Sequence, residues 1–239
     1  MITKDQIKDL SKTFQIDGYS IFREYLQLIF LSYLYQERES KRIIFKGGTA
    51  LRLLFGSPRF SEDLDFSTDY NDQEITKLLK KIIEKISKEL PGLKLSPLYK
   101  GKEGIRFRII FESIEFKYPF SIRLDFHKEK LTTSIQYSTL TTQFPVMIFP
   151  QIIHLTKDGI LKEKFEALGS RSKGRDIFDI WFLLSRGANI EKIDKKIIKN
   201  IKNFPQTLLE KDLGKFLPKG QKQIIPTLAD ETIKEYKMA

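Results

Sequence analysis

The stretch KGGTALRLLFGSPRFSEDLDF, residues 46 to 66, constrains this chain more than any other. Ile43, Ile44 and Phe45 read as a short buried strand, and Gly47-Gly48 then allows a tight turn whose bare N–H groups can approach the oxygens of an anion. Thr49 follows as a first-turn or N-cap residue. Ala50, Leu51, Leu53 and Leu54 continue as a helix closed by Gly56 and Pro58, so the positive end of its dipole faces the turn. After Arg59 and Ser61 comes Asp63-Leu64-Asp65-Phe66, whose alternation puts both carboxylates on one face of a strand and the apolar residues on the other. Hard divalent cations such as Mg²⁺ or Mn²⁺ take sites of this kind, with phosphate oxygens and waters completing the octahedron. Metals so held clamp the attacking and leaving oxygens of an in-line displacement at an α-phosphate. Each half alone is also what an ordinary turn and a solvated acidic strand edge look like; the two together, at this separation, point to phosphate chemistry.

A second segment, ILKEKFEALGSRSKGRDIFDIWFLL at residues 160 to 184, carries its own pattern. Ile160, Leu161, Phe165 and Leu168 recur at helical spacing and bury one face, while Lys164 projects elsewhere as a point charge suited to a triphosphate or a leaving pyrophosphate. A surface lysine whose stem lies over apolar neighbours is the alternative. Asp176 and Asp179, three apart on the next helix, point the same way, and Ile177, Ile180, Trp181, Leu183 and Leu184 form its buried side. Asp176 also reads as a first-turn acid that complements the helix dipole, or as a partner of Arg171 or Arg175. In FSIRLDFH, residues 120 to 127, strict alternation separates Ile122, Leu124 and Phe126 from Arg123, Asp125 and His127. Asp125 is thus a candidate third carboxylate, able to bind metal or to take the proton of an attacking hydroxyl; a plain polar strand edge would alternate in the same way. His127 and His154 are the only histidines, too few and too far apart for a zinc site.

Together, the Gly-Gly-Thr turn with Asp63 and Asp65, and the series Lys164, Arg171, Arg175, Asp176 and Asp179, resemble the two signatures of the AbiEii/AbiGii toxin family, to which the MenT toxins are similar. The resemblance implies an α+β (or α/β) fold: a polymerase β-type nucleotidyltransferase core with a mixed sheet over residues 1 to 150, then a helical region, 151 to 239, that completes the active site. It implies catalysis by Asp63, Asp65, Lys164, Asp179, Asp176 and Asp125. Nucleotide binding would fall to Gly47, Gly48, Thr49, Arg59, Ser61 and Lys164, and metal binding to Asp63, Asp65 and Asp125. The implied reaction moves a nucleoside monophosphate from a nucleoside triphosphate to an RNA acceptor, the tRNA 3′ end being the best-known case, with Mg²⁺ or Mn²⁺. The implied setting is a toxin–antitoxin pair tied to abortive infection, with a cognate antitoxin as partner. Two other readings stand beside it: a nucleotidyltransferase acting on a small molecule, and a catalytically silent basic module that binds RNA or a partner. Gly47, Asp63, Asp65 and Lys164 speak against the silent module, because a binder has no need of metal ligands.

Composition narrows the classes further. The 239 residues can bury roughly 70 to 75 per cent of their unfolded surface. A net charge of +11, from 42 Lys plus Arg against 31 Asp plus Glu, suits a polyanionic partner, although a lysine-rich solubilising surface gives the same sum. The absence of cysteine excludes disulfides, thiol catalysis and Cys-ligated metal, and fits a cytoplasmic protein. The start MITKDQIKDL lacks the apolar stretch of a signal peptide, and the apolar run from Leu28 to Tyr35 is too short to cross a bilayer. Helices are expected near 3 to 13, 20 to 38 and 72 to 90, and strands near 94 to 100, 105 to 112, 119 to 127 and 133 to 138. From about residue 152 the pattern reads as all helical, broken at Pro205, Pro218 and Pro226.

Overall fold

The computed structural model describes residues 1–112, 119–131, 134–170, 173–190 and 193–238. Arg171 and residues 132 and 133, the latter including the start of an expected strand, lie outside them.

The chain opens with α1 (Lys4–Phe14), started by a capping box in which Thr3 and Gln6 satisfy each other's backbone N–H groups. Asp17 caps α2 (Gly18–Leu34), which buries Phe22, Tyr25, Leu26, Ile29 and Phe30 and also Leu28, Leu31 and Leu34. A helix apolar on so many sides belongs in an interior. It ends at Leu34 rather than near 38, and just past its end the Tyr35 hydroxyl turns inward, within hydrogen-bonding distance of the carbonyls of Ile43 (3.0 Å) and Ile153 (3.2 Å).

The informative stretch then folds as β1 (Ile43–Lys46), α3 (Gly47–Phe55) and β2 (Asp63–Thr68). The helix starts at Gly47 itself, so Thr49 sits in its first turn and not at its cap, and Gly56 ends it with φ +75°. Asn71 and Glu74 form a capping box on α4 (Asp72–Ser87), whose buried Ile75, Leu78, Leu79, Ile82, Ile83 and Ile86 make its inner stripe. Next come β3 (Leu93–Gly101), β4 (Gly104–Phe111), β5 (Phe120–Lys128), β6 (Ile135–Thr139) and β7 (Gln151–Leu155). Among the described residues these make one seven-stranded sheet in the order β3-β4-β5-β2-β1-β7-β6. It is mixed: β2 runs parallel to β5 and β1 parallel to β7, while β1–β2, β3–β4 and β4–β5 are antiparallel. Beneath the central strands Phe66 packs against Phe126 (ring centroids 4.8 Å apart), Phe45 (5.5 Å) and Phe30 (6.4 Å). That aromatic layer fixes which face of β2 and β5 is left for polar side chains.

β7 corrects the expectation of helix from residue 152. Residues 152–155 are all buried, and a four-residue buried run is too short for its period to separate strand from helix. The remainder is helical, as α5 (Lys157–Ser170), α6 (Gly174–Ser185), α7 (Lys195–Lys202), α8 (Gln206–Leu213) and α9 (Leu228–Met238). Pro226 does not break this part; it lies inside a 3₁₀ helix, Lys219–Thr227, that leads straight into α9. The fold is α+β. Two compact units divide it: Met1–Gly56 with Phe60–His154, and Ser57–Arg59 with Leu155–Ala239.

Candidate active site

In the first unit the candidate residues gather on the face of β2 and β5 opposite the aromatic layer. Parallel pairing sets Asp65 directly beside Asp125 and Asp63 beside Arg123. The row continues on both sides, with Lys46 of β1 opposite Asp65 and Arg106 of β4 opposite Asp125. Cross-strand partners project to the same side, so Lys46, Asp65, Asp125 and Arg106 form a line of charges across four strands. The turn closes on this line from the end of β1. Gly47 has φ +77°, and a Cβ there would overlap the Asp65 carboxylate, so only glycine lets the backbone lie against that acid. Thr49 is buried and its hydroxyl donates to the Asp63 carbonyl, tying the first turn of α3 to the start of β2. Gly48 is buried beside it. Ser61 is half-buried, and its carbonyl accepts from Gln27 Nε2 at 3.2 Å.

Cations of the protein itself attend these carboxylates. Arg123 reaches Asp63 with Nη2 and Asp125 with Nε (3.2 Å), while Arg106 Nε lies 2.8 Å from the other Asp125 oxygen. Burial works against the Arg123 charge, but Asp63, Asp125 and Asp65 outweigh it and hold the guanidinium still more firmly protonated. Lys46 pairs with Glu129 at 2.8 Å, and Ser67 donates to the same carboxylate. Burial pushes Glu129 up, yet Lys46 and Ser67 outweigh it and keep the carboxyl below its usual range. Sequence reasoning missed Arg106, Lys46 and Glu129 and gave Arg123 no role; only the strand register joins them to the acids. His154 is a core residue, fully buried, with Nε2 2.9 Å from Ser138 Oγ and its ring edge-on to Phe55.

The second unit builds a separate cluster. Arg59 grips Asp179 with two parallel hydrogen bonds, Nε to Oδ1 and Nη2 to Oδ2, both 2.8 Å. Lys164 Nζ stands 2.7 Å from Asp179 Oδ2 and 3.0 Å from Asp176 Oδ1. All four side chains are buried, Asp179 completely. Lys164 therefore does not project away from the apolar stripe of α5; it is buried with Ile160, Leu161, Phe165 and Leu168, and its charge ends on the two acids of α6. The spacing of Asp176 and Asp179 explains how one ammonium meets both. Burial would lower the Lys164 pKa, but Asp179 and Asp176 outweigh it, against the opposing Arg59, and raise it. Burial would raise Asp179, but Arg59 and then Lys164 outweigh it and hold it down. Arg175 lies over the Phe216 ring, 5.1 Å from its centroid. Trp181 is only partly buried, whereas Phe178 and Phe182, unmarked in the sequence reading, are in the core.

Asp63, Asp65 and Asp125 offer only hard oxygen donors, which is the chemistry a divalent cation of the Mg²⁺ type requires. Among the described residues no three such side chains already converge on one point, and Arg123 and Arg106 lie within ion-pair distance of oxygens that a cation would use. No described helix is long and apolar enough to cross a membrane.

Residues 29–235 match the family described as nucleotidyl transferase AbiEii toxin, type IV toxin–antitoxin system. An uncharacterized protein of Aquifex aeolicus is 25% identical over 178 residues, 71% of each chain. Among solved structures, MenT4, a nucleotidyltransferase toxin of Mycobacterium tuberculosis, superposes with a TM-score of 0.65 at 17% identity, covering 99% of this chain and 89% of its own. JHP933 of Helicobacter pylori gives 0.62 at 18% identity, covering 93% and 94%. At such identities the two structures speak for the fold.

Proposed function

Because the chain belongs to the AbiEii family of nucleotidyltransferase toxins, we propose that it transfers a nucleoside monophosphate from a nucleoside triphosphate to an RNA acceptor, with the tRNA 3′ end as the leading candidate. The carrying observation is the in-register pair Asp65 and Asp125 with the Gly47 backbone pressed against Asp65. This sets a phosphate-binding turn against a carboxylate face. An acceptor hydroxyl attacks the α-phosphorus, a new P–O ester forms, the bond to the β-phosphate oxygen breaks, and pyrophosphate leaves. Asp63, Asp65 and Asp125 would hold Mg²⁺ or Mn²⁺, which when bound neutralises charge on the attacking and leaving oxygens. The first turn of α3, with Gly47, Gly48 and Thr49, directs its N–H groups and dipole toward the phosphates.

Lys164 and Asp179 are assigned to the same reaction from their motif, with Asp176 as the second acid that holds the ammonium. Arg59 is assigned a positioning role through Asp179 rather than a direct grip on nucleotide, because both arms of its fork are committed there. The charge of +11 supports a polyanionic acceptor. A cognate antitoxin and action in the cytoplasm complete the reading. The test is incubation of the purified protein with each labelled nucleoside triphosphate, Mg²⁺ and total RNA, alongside Asp65→Asn. Label should enter RNA with the wild type and fall by more than about 100-fold in the variant, the scale of losing one preorganised charge contact in the transition state. Full transfer by D65N, or label entering only small molecules, would overturn it.

A further inference from the structure

On the face that carries the candidate carboxylates, Arg123 is the residue whose position the proposed reaction does not explain. It stands two positions along the strand from Asp125, opposite Asp63, and it spans two of the three acids. Its side chain is 44% exposed, against 21% for Asp63 and 7% for Asp125. The acids are thus recessed, and the guanidinium lies over them from the solvent side. Arg106 Nε lies 2.8 Å from the other oxygen of Asp125, so Asp125 keeps one cation beside it even if Arg123 leaves. Arg108, opposite Arg123 on β4, is exposed on the same face.

We propose that Arg123 is a built-in counter-cation that competes with the divalent metal for Asp63 and Asp125, so that the metal binds only as the guanidinium is displaced. The inference rests on the proposed carboxylate site. Its physical basis is that Asp63 Oδ2, which accepts a charge-assisted hydrogen bond from Arg123, and Asp125 Oδ2, ion-paired to it at 3.2 Å, are withdrawn as hard-cation ligands until the guanidinium leaves. Two cations cannot share those oxygens without strong mutual repulsion. Because Arg123 is partly exposed and sits on a flexible stem, it can swing outward without disturbing the strands. Arg106, 48% exposed, faces only the Asp125 oxygen that Arg123 does not meet and touches neither oxygen of Asp63, so it bears on one of the two acids alone. The arrangement keeps the recessed acids neutralised, and the sheet face free of an uncompensated cluster of three negative charges, while no metal is bound. A triphosphate arriving with its metal would give the displaced guanidinium a new anionic partner.

The experiment measures Mn²⁺ binding directly, from the paramagnetic resonance signal of the free ion, with no nucleotide or RNA present. Wild type, Arg123→Gln, Arg123→Lys, Arg108→Gln and Asp65→Asn are titrated at one ionic strength, each first checked for a native unfolding transition. Arg123→Gln should bind Mn²⁺ about tenfold or more tightly than wild type, consistent with the release of a partly exposed ion pair on two acids. Arg123→Lys, a point charge without the fork, should fall between them. Arg108→Gln removes the same charge from the same face, where Arg108 has no contact to an acid among the described residues, and should change affinity by less than about threefold. Mn²⁺ binding by Arg123→Gln no tighter than by Arg108→Gln, with Asp65→Asn weaker than wild type, would overturn the role of Arg123 and leave the carboxylate site standing. Equal binding by Asp65→Asn and wild type would remove the site itself and the proposed function with it.

Discussion

Arg59 and Asp179, 120 residues apart in the chain, meet through a two-pronged buried ion pair with both N···O distances at 2.8 Å. Lys164 adds a third contact to the same carboxylate. Two cations and two acids, Asp176 included, are thus balanced out of water, and the balance makes each member expensive to remove singly.

Arg59→Ala should therefore destabilise the protein by roughly 3 to 5 kcal/mol, the usual scale for leaving a buried charge with part of its compensation gone. Arg59→Lys keeps the charge but loses the fork and should cost less. Urea unfolding midpoints at neutral pH measure both. A loss below about 1 kcal/mol in R59A, the scale of an exposed pair, would mean that the fork contributes nothing in solution.

The buried ion pairs should make stability fall toward both extremes of pH. The Asp179 and Glu129 carboxyls are held below their usual range, so their contribution is present above the unfolded carboxyl pKa of about 4 and is lost as pH falls through the lower folded values. Lys164 is raised, so its contribution is complete below the unfolded lysine pKa of about 10.4 and is lost as pH rises through the higher folded value. Unfolding midpoints between pH 2 and 11 should show an acid and an alkaline falling limb, on a scale set by those pKa values. Asp179→Asn should shallow the acid limb, and Lys164→Met the alkaline one. An acid limb of the same slope in D179N would refute the assignment.

Gly47→Ala and Gly56→Ala separate backbone strain from damage to the candidate site. Both glycines have positive φ, but a Cβ at Gly56 meets nothing whereas one at Gly47 overlaps Asp65. Each change should cost roughly 1 to 2 kcal/mol for the left-handed backbone. Only G47A should also lower transfer by about 100-fold, because it displaces a carboxylate by a distance that matters to the reacting atoms. Equal activity in the two variants would break the link between the turn and the acids.

Lys164 and Lys162 lie on the same helix, the first buried and the second exposed. Lys164→Arg keeps the charge in an altered geometry and should lose much of kcat, while Lys162→Ala should leave kcat within a factor of about two, or ~0.4 kcal/mol. The comparison is made below the melting range of each variant, so that loss of fold does not stand in for loss of chemistry. If K164R and K162A were kinetically alike, Lys164 would be only a structural partner of Asp176 and Asp179.

The local elements were legible where one residue type forces one conformation. Gly47 at the start of an apolar helix, Gly56 after it, and the alternation in Asp63–Phe66 and Ile122–His127 each have a single physical solution. What the residues do not carry is register. That Asp65 stands beside Asp125, and that Arg123 and Arg106 fall on the same acids, depends on how separate strands align, which short patterns leave open. β7 was read as helix because its buried run shows no alternation, the usual mark of an inner strand as well as of a buried helix. Lys164 was expected outside the buried stripe because a charge is expensive to bury; its two acidic partners on α6 remove that expense, and no reading of α5 alone could have included them.

β1 sits inside the sheet with β2 on one side and β7 on the other. The first neighbour is made almost at once, but the second is encoded roughly a hundred residues later. At ordinary rates of protein synthesis that interval is on the order of ten seconds. Through it, the nascent chain holds a bare strand edge, of the sort that pairs readily with other chains. An early-bound protein partner would have its greatest effect in that window, and a fragment stopped at residue 150 would stay in it permanently.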